Sequence, residues 1–168
     1  MELNAQILLQ IVAAETSSSD LSTTARSTTI SRAVAFTTGT GISQAQLVWS
    51  DSRTIAASGT ETLDLAELAD DRGTVVLSAV KAIYIRNTGA AVLNLTGGGP
   101  PEDWEAGPVK TPSGSLLEIP AGGIYLATNA SAAGWAVGSS PQWVIVNNAS
   151  TTTAATYDIV LIGEGSLT

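Results

Sequence analysis

The chain has 168 residues, with 15 acidic and 7 basic side chains, and its formal net charge at neutral pH is −8. Proteins that neutralise phosphates need clustered lysine and arginine, so this balance argues against nucleic acid and anionic membranes as partners. Cysteine and histidine are absent, which excludes disulfides, thiolate metal sites and the side chain most often used as a general base and metal ligand.

The N-terminal segment predicts a β arm. From Leu3 to Ile11 the odd positions are all apolar, whereas three of the four positions between them are polar, and this period of two indicates a half-buried strand. The Ser/Thr-rich run from Thr16 to Thr24 predicts a loop or mobile segment. Alternation then resumes from Thr28 to Phe36. Two alternating segments joined by a polar loop predict a long hairpin, and residues 1–36 are interpreted as an N-terminal arm.

The remaining residues, 37–168, predict a β-sandwich domain. Alternating stretches predict short strands at residues 46–49, 53–56, 74–86, 91–95, 115–119, 123–128, 143–147 and 156–162. The turn Asn87-Thr88-Gly89 predicts a hairpin between two of them. Asp64 precedes Glu67 by the spacing of a capping box, so a helix of about two turns at most is expected there. The predicted fold class is all-β, a β-sandwich of jelly-roll-like type with at most one short helix.

No constellation of residues predicts catalysis or metal binding. The sequence has no Gly-x-Ser-x-Gly elbow, phosphate loop or dinucleotide fingerprint. A carboxylate pair at Glu102 and Asp103 beside Trp104 would suit glycoside hydrolysis, but a solvated loop is the simpler interpretation. Asp70 and Asp71 lack the alternating oxygen ligands of a calcium loop and are interpreted as a polar helix end. We expect no enzymatic activity, no cofactor and no metal.

The tryptophans divide into two groups. Trp49 and Trp143 lie within strand patterns and are expected in the core. Trp104 and Trp135 lie in predicted loops, where contact with a neighbouring subunit and stacking on a sugar both stay open as interpretations.

The surface composition favours association with other proteins. Charged residues make up 13% of the chain, about half the usual share, which suits a protein that covers much of its surface in an assembly. An amphipathic strand on a polar tether offers backbone groups to the sheet edge of a neighbour. The expected interface residues are Leu3, Ile7, Leu9, Ile11, Trp104 and Trp135.

Several segments also resemble small structural proteins of tailed bacteriophages. They are VWSDSRTIAAS at 48–58, ETLDLA at 61–66, VKAIYI at 80–85, IPAGG at 119–123, SAAGWAV at 131–137 and TYDIVLIG at 156–163. Together they span most of the chain after about residue 36. The resemblance implies a virion component and assigns no catalytic residue.

Within a virion, a decoration (cement) protein on the outside of the head fits best. The net charge of −8 disfavours contact with packaged DNA, and no heptad or repeat indicates a fibre shaft. The resemblance implies a homotrimer that binds the major capsid protein or another virion protein on the exterior of a particle assembled in the bacterial host cytoplasm. The alternatives are a tail, baseplate or carbohydrate-binding receptor module, and a small carbohydrate-acting enzyme.

Overall fold

The structure is a computed structural model that describes residues 2–96, 104, 106–109, 116–138 and 142–168. These residues form strands, turns and loops without a helix, so none of them forms a helix long and apolar enough to cross a membrane. The strands are β1 (Asn4–Ser19), β2 (Ser22–Thr38), β3 (Gln44–Ala45), β4 (Leu47–Ile55), β5 (Thr60–Asp64), β6 (Leu68–Asp70), β7 (Gly73–Asn87), β8 (Leu93–Thr96), β9 (Leu117–Ile119), β10 (Ile124–Thr128), β11 (Trp135–Ala136), β12 (Trp143–Asn148) and β13 (Ala155–Leu167).

Two antiparallel sheets enclose the main core. The larger sheet has six strands in the order β10-β7-β13-β4, with β6 and β11 also paired to β7. The smaller sheet has the order β5-β12-β8-β9. Apolar side chains from both sheets form one cluster, which includes Trp49 and Ile83 of the larger sheet and Leu93 and Val146 of the smaller one. The predicted all-β, sandwich-like class is therefore confirmed.

The central strands β7 and β13 are apolar on both faces because both faces are covered. Their inner side chains, such as Ile85 and Ile159, belong to the main core. On the outer face, Ala82 and Ile162 belong to a second, separate apolar cluster, in which the N-terminal hairpin packs against the sheet. The sequence of a strand that is buried on both faces is a nearly continuous run of apolar residues, which explains the composition of β7 and β13.

The N-terminal hairpin is longer than predicted. β1 and β2 pair without interruption from Asn4 opposite Thr37 to Ser19 opposite Ser22, and Asp20 and Leu21 form the turn. The expected loop at residues 16–24 is wrong. Threonine is β-branched and fits a strand well, and serine and threonine are tolerated where both faces of the hairpin are exposed.

The expected helix at Asp64 is also wrong, because a turn joins β5 to β6 there. The Asp64 carboxylate accepts a hydrogen bond from the Ala66 N–H at 2.9 Å, and the Glu67 N–H donates to the Asp64 carbonyl at 3.1 Å. This is the chemistry of a helix cap used to close a turn. Leu65 and Leu68 are both buried in the main core, and the chain continues as a strand.

Asn87-Thr88-Gly89 does not form the predicted hairpin. β7 and β8 lie in different sheets, and the segment between them is an arch that carries the chain from one sheet to the other. Asn87 is fully buried, and its amide donates to the carbonyls of Ala91 at 2.7 Å and Ile119 at 2.9 Å. Its side chain therefore replaces the backbone pairing that a hairpin would have supplied.

Candidate assembly surface on the N-terminal arm

The hairpin of β1 and β2, called here the arm, is anchored at its base. Phe36 is fully buried and packs with Ala82 and Ile162 of the larger sheet. Leu3, Ala5, Ile7 and Val34 are partly buried against the same cluster. Because these side chains alternate along the two strands, one face of the arm base lies on the sheet and the opposite face points away from it.

Beyond this base the arm is exposed on both faces. Every residue from Leu8 to Ala33 is exposed. At about 3.4 Å per residue, the segment from Leu8 to Ser19 extends roughly 35–40 Å. Leu8 and Val12 are each 66% exposed, and Leu21 at the turn is 98% exposed. An isolated two-stranded hairpin is marginally stable in water, so this segment is suited to binding a further surface.

Both long edges of the arm are open in the part of the chain that the structure describes. β1 pairs there with β2 alone, and β2 pairs additionally with β3 at Thr37 and Thr38 only. Exposed edge strands are commonly protected by lysine, proline or bulges. Residues 2–38 contain neither lysine nor proline, and the pairing of β1 with β2 has no bulge. The arm thus offers two long strand edges whose only charged residues are Glu15, Arg26 and Arg32.

The hydrogen bonds at the arm base show which backbone groups point outwards. The Leu3 N–H donates to Thr38 Oγ1 at 2.6 Å, so odd-numbered residues of β1 turn their backbone groups towards β2 and even-numbered ones away from it. The Thr37 N–H donates to the Ser43 carbonyl at 3.2 Å, on the side away from β1. Odd-numbered residues of β2 therefore point outwards from the other edge.

An apolar groove of about 370 Å³ borders the β1 edge. Its wall is formed by residues 6–9 of β1, and its floor is the outer face of the larger sheet. Ile124 of β10, in this floor, is 60% exposed. A strand added to β1 at this position would lie over the apolar floor. The floor residues are Ala82, Tyr84, Ile124, Leu126, Val160 and Ile162.

The two faces of the arm differ in charge. The face that contacts the sheet at the base, called the body face, continues outwards with the cross-strand pairs Leu9–Arg32, Ile11–Ile30 and Glu15–Arg26. The opposite face, called the free face, carries no charged residue. Its members are Asn4, Gln6, Leu8, Gln10, Val12, Ala14, Thr16 and Ser18 of β1 and Thr23, Ala25, Ser27, Thr29, Ser31, Ala33, Ala35 and Thr37 of β2.

The arm residues predicted for the interface fall into two groups. Leu3 and Ile7 are partly buried against the chain's own sheet, so they serve as anchors of the arm. Leu9 and Ile11 are 47% and 50% exposed. They lie on the body face, farther along the arm than the residues that pack against the sheet. Their contact with a partner stays a prediction.

The expectation that Trp104 is a surface residue is wrong. It is 5% exposed and belongs to the main core, and its indole N–H donates to the Ala136 carbonyl at 2.8 Å. Trp135 is half-buried and its ring packs at right angles to that of Trp104, with centroids 6.3 Å apart and an interplanar angle of 88°. The chain's own packing thus covers the Trp104 ring that a partner or sugar would need.

The acidic residues considered as candidates for catalysis or calcium binding do not form a site among the described residues. Glu102 and Asp103 lie outside the described residues. Asp70 ends strand β6, not a helix, and both its carboxylate oxygens bind Arg72, at 2.7 and 2.9 Å. The Arg72 hydrogen bonds hold the pKa of Asp70 well below its usual range. In the part of the chain that the structure describes, no three acidic, histidine or cysteine side chains are grouped to hold a metal ion.

Sequence reasoning missed the groove. A signal for it is present in β10, where Ile124 and Leu126 flank Tyr125, so that both faces of this short strand are apolar. Tyr125 packs against the main core, and the other two line the groove. An edge strand that is apolar on both faces indicates a second covered surface.

Comparison with known proteins adds no relative. No known protein family, curated protein or solved structure matches this chain. The role of the arm is therefore argued from its geometry, and the kind of particle from the resemblance of the short segments described above.

Proposed function

We propose that this chain is a non-catalytic structural subunit of a larger protein assembly, attached through its N-terminal arm. The observation that carries the proposal is a long exposed hairpin with two open edges, next to an apolar groove. Strand addition supplies affinity through main-chain hydrogen bonds, and apolar side chains at alternate positions add specificity. The arm has both features.

The assembly that we propose is the particle of a tailed bacteriophage, with the chain as a decoration protein on the outer surface of the head. The resemblance of segments between residues 48 and 163 supports a virion role. The net charge of −8 favours a position away from packaged DNA. The proposed partners are the major capsid protein or another virion protein, together with further copies of this chain in a homotrimer.

A carbohydrate-binding receptor module has less support. It depends on exposed tryptophan faces for sugar stacking, and Trp104 is 5% exposed. The ring of Trp104 also packs at right angles to that of Trp135, so part of the second ring is covered as well. A decoration role depends on neither ring.

Removal of the outer arm tests this function. In the test variant, residues 10–31 are replaced by Asn-Gly, which joins Leu9 to Arg32. In the ladder of β1 and β2, the backbone groups of Leu9 and Arg32 face each other as those of Ser19 and Ser22 do at the natural turn. A two-residue turn can therefore join Leu9 to Arg32. The base stays anchored by Phe36. We expect the variant to fold but to lose co-sedimentation with expanded capsids of the phage that encodes the chain.

Two results would contradict the proposal. Binding of the shortened chain at the affinity of the full chain would show that the arm is not the attachment surface. Immunogold labelling of virions should place the chain on the head. Labelling confined to the tail would overturn the proposed location.

A further inference from the structure

We propose that the free face of the arm lies on an uncharged surface of the capsid shell, so that the sandwich domain stands on the side of the arm that points away from the shell. This inference rests on the proposed function, because it names the part of the arm that meets the partner and the chemistry of the receiving surface. Both strand edges stay available for strand addition, since a strand added to an edge lies in the plane of the arm.

The free face is exposed from one end of the arm to the other. All its residues, from the Asn4–Thr37 pair at the base to the Ser18–Thr23 pair near the turn, are exposed. On the body face, by contrast, Phe36 is fully buried, and its neighbours at the base pack on the larger sheet. The free face is therefore a continuous surface on which a partner can lie along the whole arm.

The charges of the arm indicate the chemistry of the receiving surface. The charged residues of the paired strands, Glu15, Arg26 and Arg32, all lie on the body face. The core of a protein interface is depleted in charged residues, and a charge that is buried without a partner is costly. A surface that covers the free face must therefore be uncharged as well, because no side chain of that face could pair with a buried charge.

Two apolar side chains are the anchors of the free face. Leu8 and Val12 are each 66% exposed, whereas the leucine and isoleucine residues of the outer body face are at most 50% exposed. They are four positions apart on one strand, so both point to the same side. The alanine, serine and threonine residues around them are small, which lets a facing surface approach closely. Contact with the free face would thus bury the most exposed apolar residues of the paired strands.

The position of the domain favours the same face. The larger sheet packs on the body face at the base of the arm, so a broad surface could reach the outer body face only beside the domain. Among the described residues, none covers the free face. A shell that meets the free face therefore leaves the domain on the outside. Leu9 and Ile11, on the body face, would lie outside this contact.

The size of the free face suits an interface that is shared with the strand edges. β1 has 16 residues. At about 3.4 Å per residue, and with a width of roughly 10 Å for two strands, the face covers about 500 Å². A stable interface buries about 800 Å² on each partner. The face thus supplies more than half of this area, and a strand added beside the groove increases it.

Lysine substitutions on the two faces test this orientation. Thr28 and Thr29 are adjacent exposed residues of β2, on the body face and the free face respectively. In co-sedimentation with expanded capsids, we expect Thr29→Lys to weaken binding by about tenfold or more, and Thr28→Lys to bind as tightly as the wild type. Both variants lose the same strand-forming residue, so an unequal effect cannot come from loss of the hairpin.

Glutamate substitutions test the charge of the receiving surface. Ala14 of the free face and Ala13 of the body face form a second matched pair. Ala14→Glu should weaken binding as Thr29→Lys does, because an uncharged surface accepts neither sign of charge. Ala13→Glu should leave binding unchanged.

Thiol protection gives a readout that does not depend on affinity. The chain has no cysteine, so a single introduced cysteine is its one site for maleimide. In the capsid complex, we expect the thiol of Thr29→Cys to be protected and that of Thr28→Cys to react as in the free chain. Labelling is scored on the mass of this chain alone.

Three results would overturn the inference. They are weaker binding from the body-face substitutions alone, equal effects of the substitutions on both faces, and tighter binding from either charge on the free face, which would indicate a charged partner. Failure of the orientation is distinguishable from failure of the function. If the wild type binds capsids, the arm-shortened chain does not, and the free-face variants bind normally, the orientation alone is wrong. A wild type that does not bind, or a shortened chain that binds normally, contradicts arm attachment itself.

Discussion

At the scale of single residues, Lys81 and Asp70 are each held by an ion pair and by further hydrogen bonds. Lys81 is fully buried, and its ammonium group donates to the carbonyls of Ser131 at 2.7 Å and Ala132 at 2.5 Å. It also lies 2.8 Å from Glu164 Oε1 as an ion pair. A buried ammonium group is tolerated only when it is paired and hydrogen-bonded in this way. The carboxylate of Asp70 is held by Arg72, which lies in the turn between β6 and β7.

The Asp70–Arg72 pair predicts a pH dependence of stability. The pKa of Asp70 is lowered from an ordinary value of 3.8, so the folded chain favours the carboxylate. The contribution of the pair is complete above that ordinary value and is lost as the pH falls below it. The urea midpoint of the wild type should exceed that of Asp70→Asn near neutral pH, and the two should converge in acid.

The control for this prediction is Glu67→Gln. Glu67 is exposed in the turn before β6, and its backbone N–H supplies its contact with Asp64. Its replacement should leave the midpoint unchanged at both pH values. A difference between wild type and Asp70→Asn that stays constant into acid would contradict the assigned role of the carboxylate.

Single residues also show why part of the candidate assembly surface could not be predicted from the sequence. The alternation from Leu3 to Ile11 is visible in the sequence, but it does not reveal that Ile7 meets the chain's own sheet whereas Ile11 extends past it. Similarly, the sequence correctly places Trp104 outside the strands, but its burial follows from contacts with Ala136 and Trp135, which are about thirty positions away. Burial depends on such distant contacts.

At the scale of elements, the strands were more predictable than their partners. Alternation correctly indicated β7, β12 and β13, because period two directly reflects the two faces of a sheet. The turn at Asn87 carried the right residues for a hairpin, yet the chain crosses to the other sheet there. Turn residues specify a local bend, whereas the choice of sheet depends on which face of the next strand must be buried.

The anchoring of the arm gives a prediction at this scale. Phe36 is fully buried in the second cluster, which is separate from the main core. Replacing a buried phenylalanine by alanine costs about 3–5 kcal/mol. In Phe36→Ala we expect faster hydrogen exchange of the β1 amides that pair with β2 between residues 3 and 7, and unchanged exchange in β7 and β13.

Ile30→Ala provides the comparison. Ile30 is 49% exposed and lies on the outer part of the arm. Its replacement should leave exchange at the arm base as in the wild type. If Phe36→Ala accelerated exchange throughout β7 and β13, the second cluster would be part of the global core and the arm would not be separately anchored.

At the scale of the whole molecule, polar contacts join the two sheets besides the apolar core. Tyr157 of the larger sheet donates its hydroxyl hydrogen to Glu61 Oε2 of the smaller sheet at 2.7 Å. Glu61 Oε1 is 2.6 Å from Arg53 Nη2, and Arg53 Nη1 is 2.8 Å from Asp51 Oδ2. The sequence predicted a sandwich but not this link, because Tyr157, Arg53 and Asp51 are neighbours within the larger sheet and Glu61 reaches them only through the stacking of the smaller sheet.

This link gives a prediction about global stability. Burial and the hydrogen bond to Glu61 raise the pKa of Tyr157 above its ordinary value of 10.0, so the hydroxyl stays a donor in the folded chain. A hydrogen bond to a charged group contributes about 1.5–3 kcal/mol. Tyr157→Phe should lower the free energy of unfolding by about that amount in urea titrations, and the loss should be smaller when Glu61→Gln is already present.

The pH dependence of the same pair has the opposite sign to that of Asp70. A raised pKa in the folded state means that the contribution of Tyr157 is present below its ordinary value of 10.0 and is lost as the pH rises above it. Wild type and Tyr157→Phe should therefore differ near neutral pH and approach each other in alkali. Tyr125→Phe, at a half-buried ring of β10, serves as the matched control and should cost less near neutral pH. Equal losses for the two tyrosines, or equal losses with and without Glu61→Gln, would show that the apolar core alone holds the sheets together.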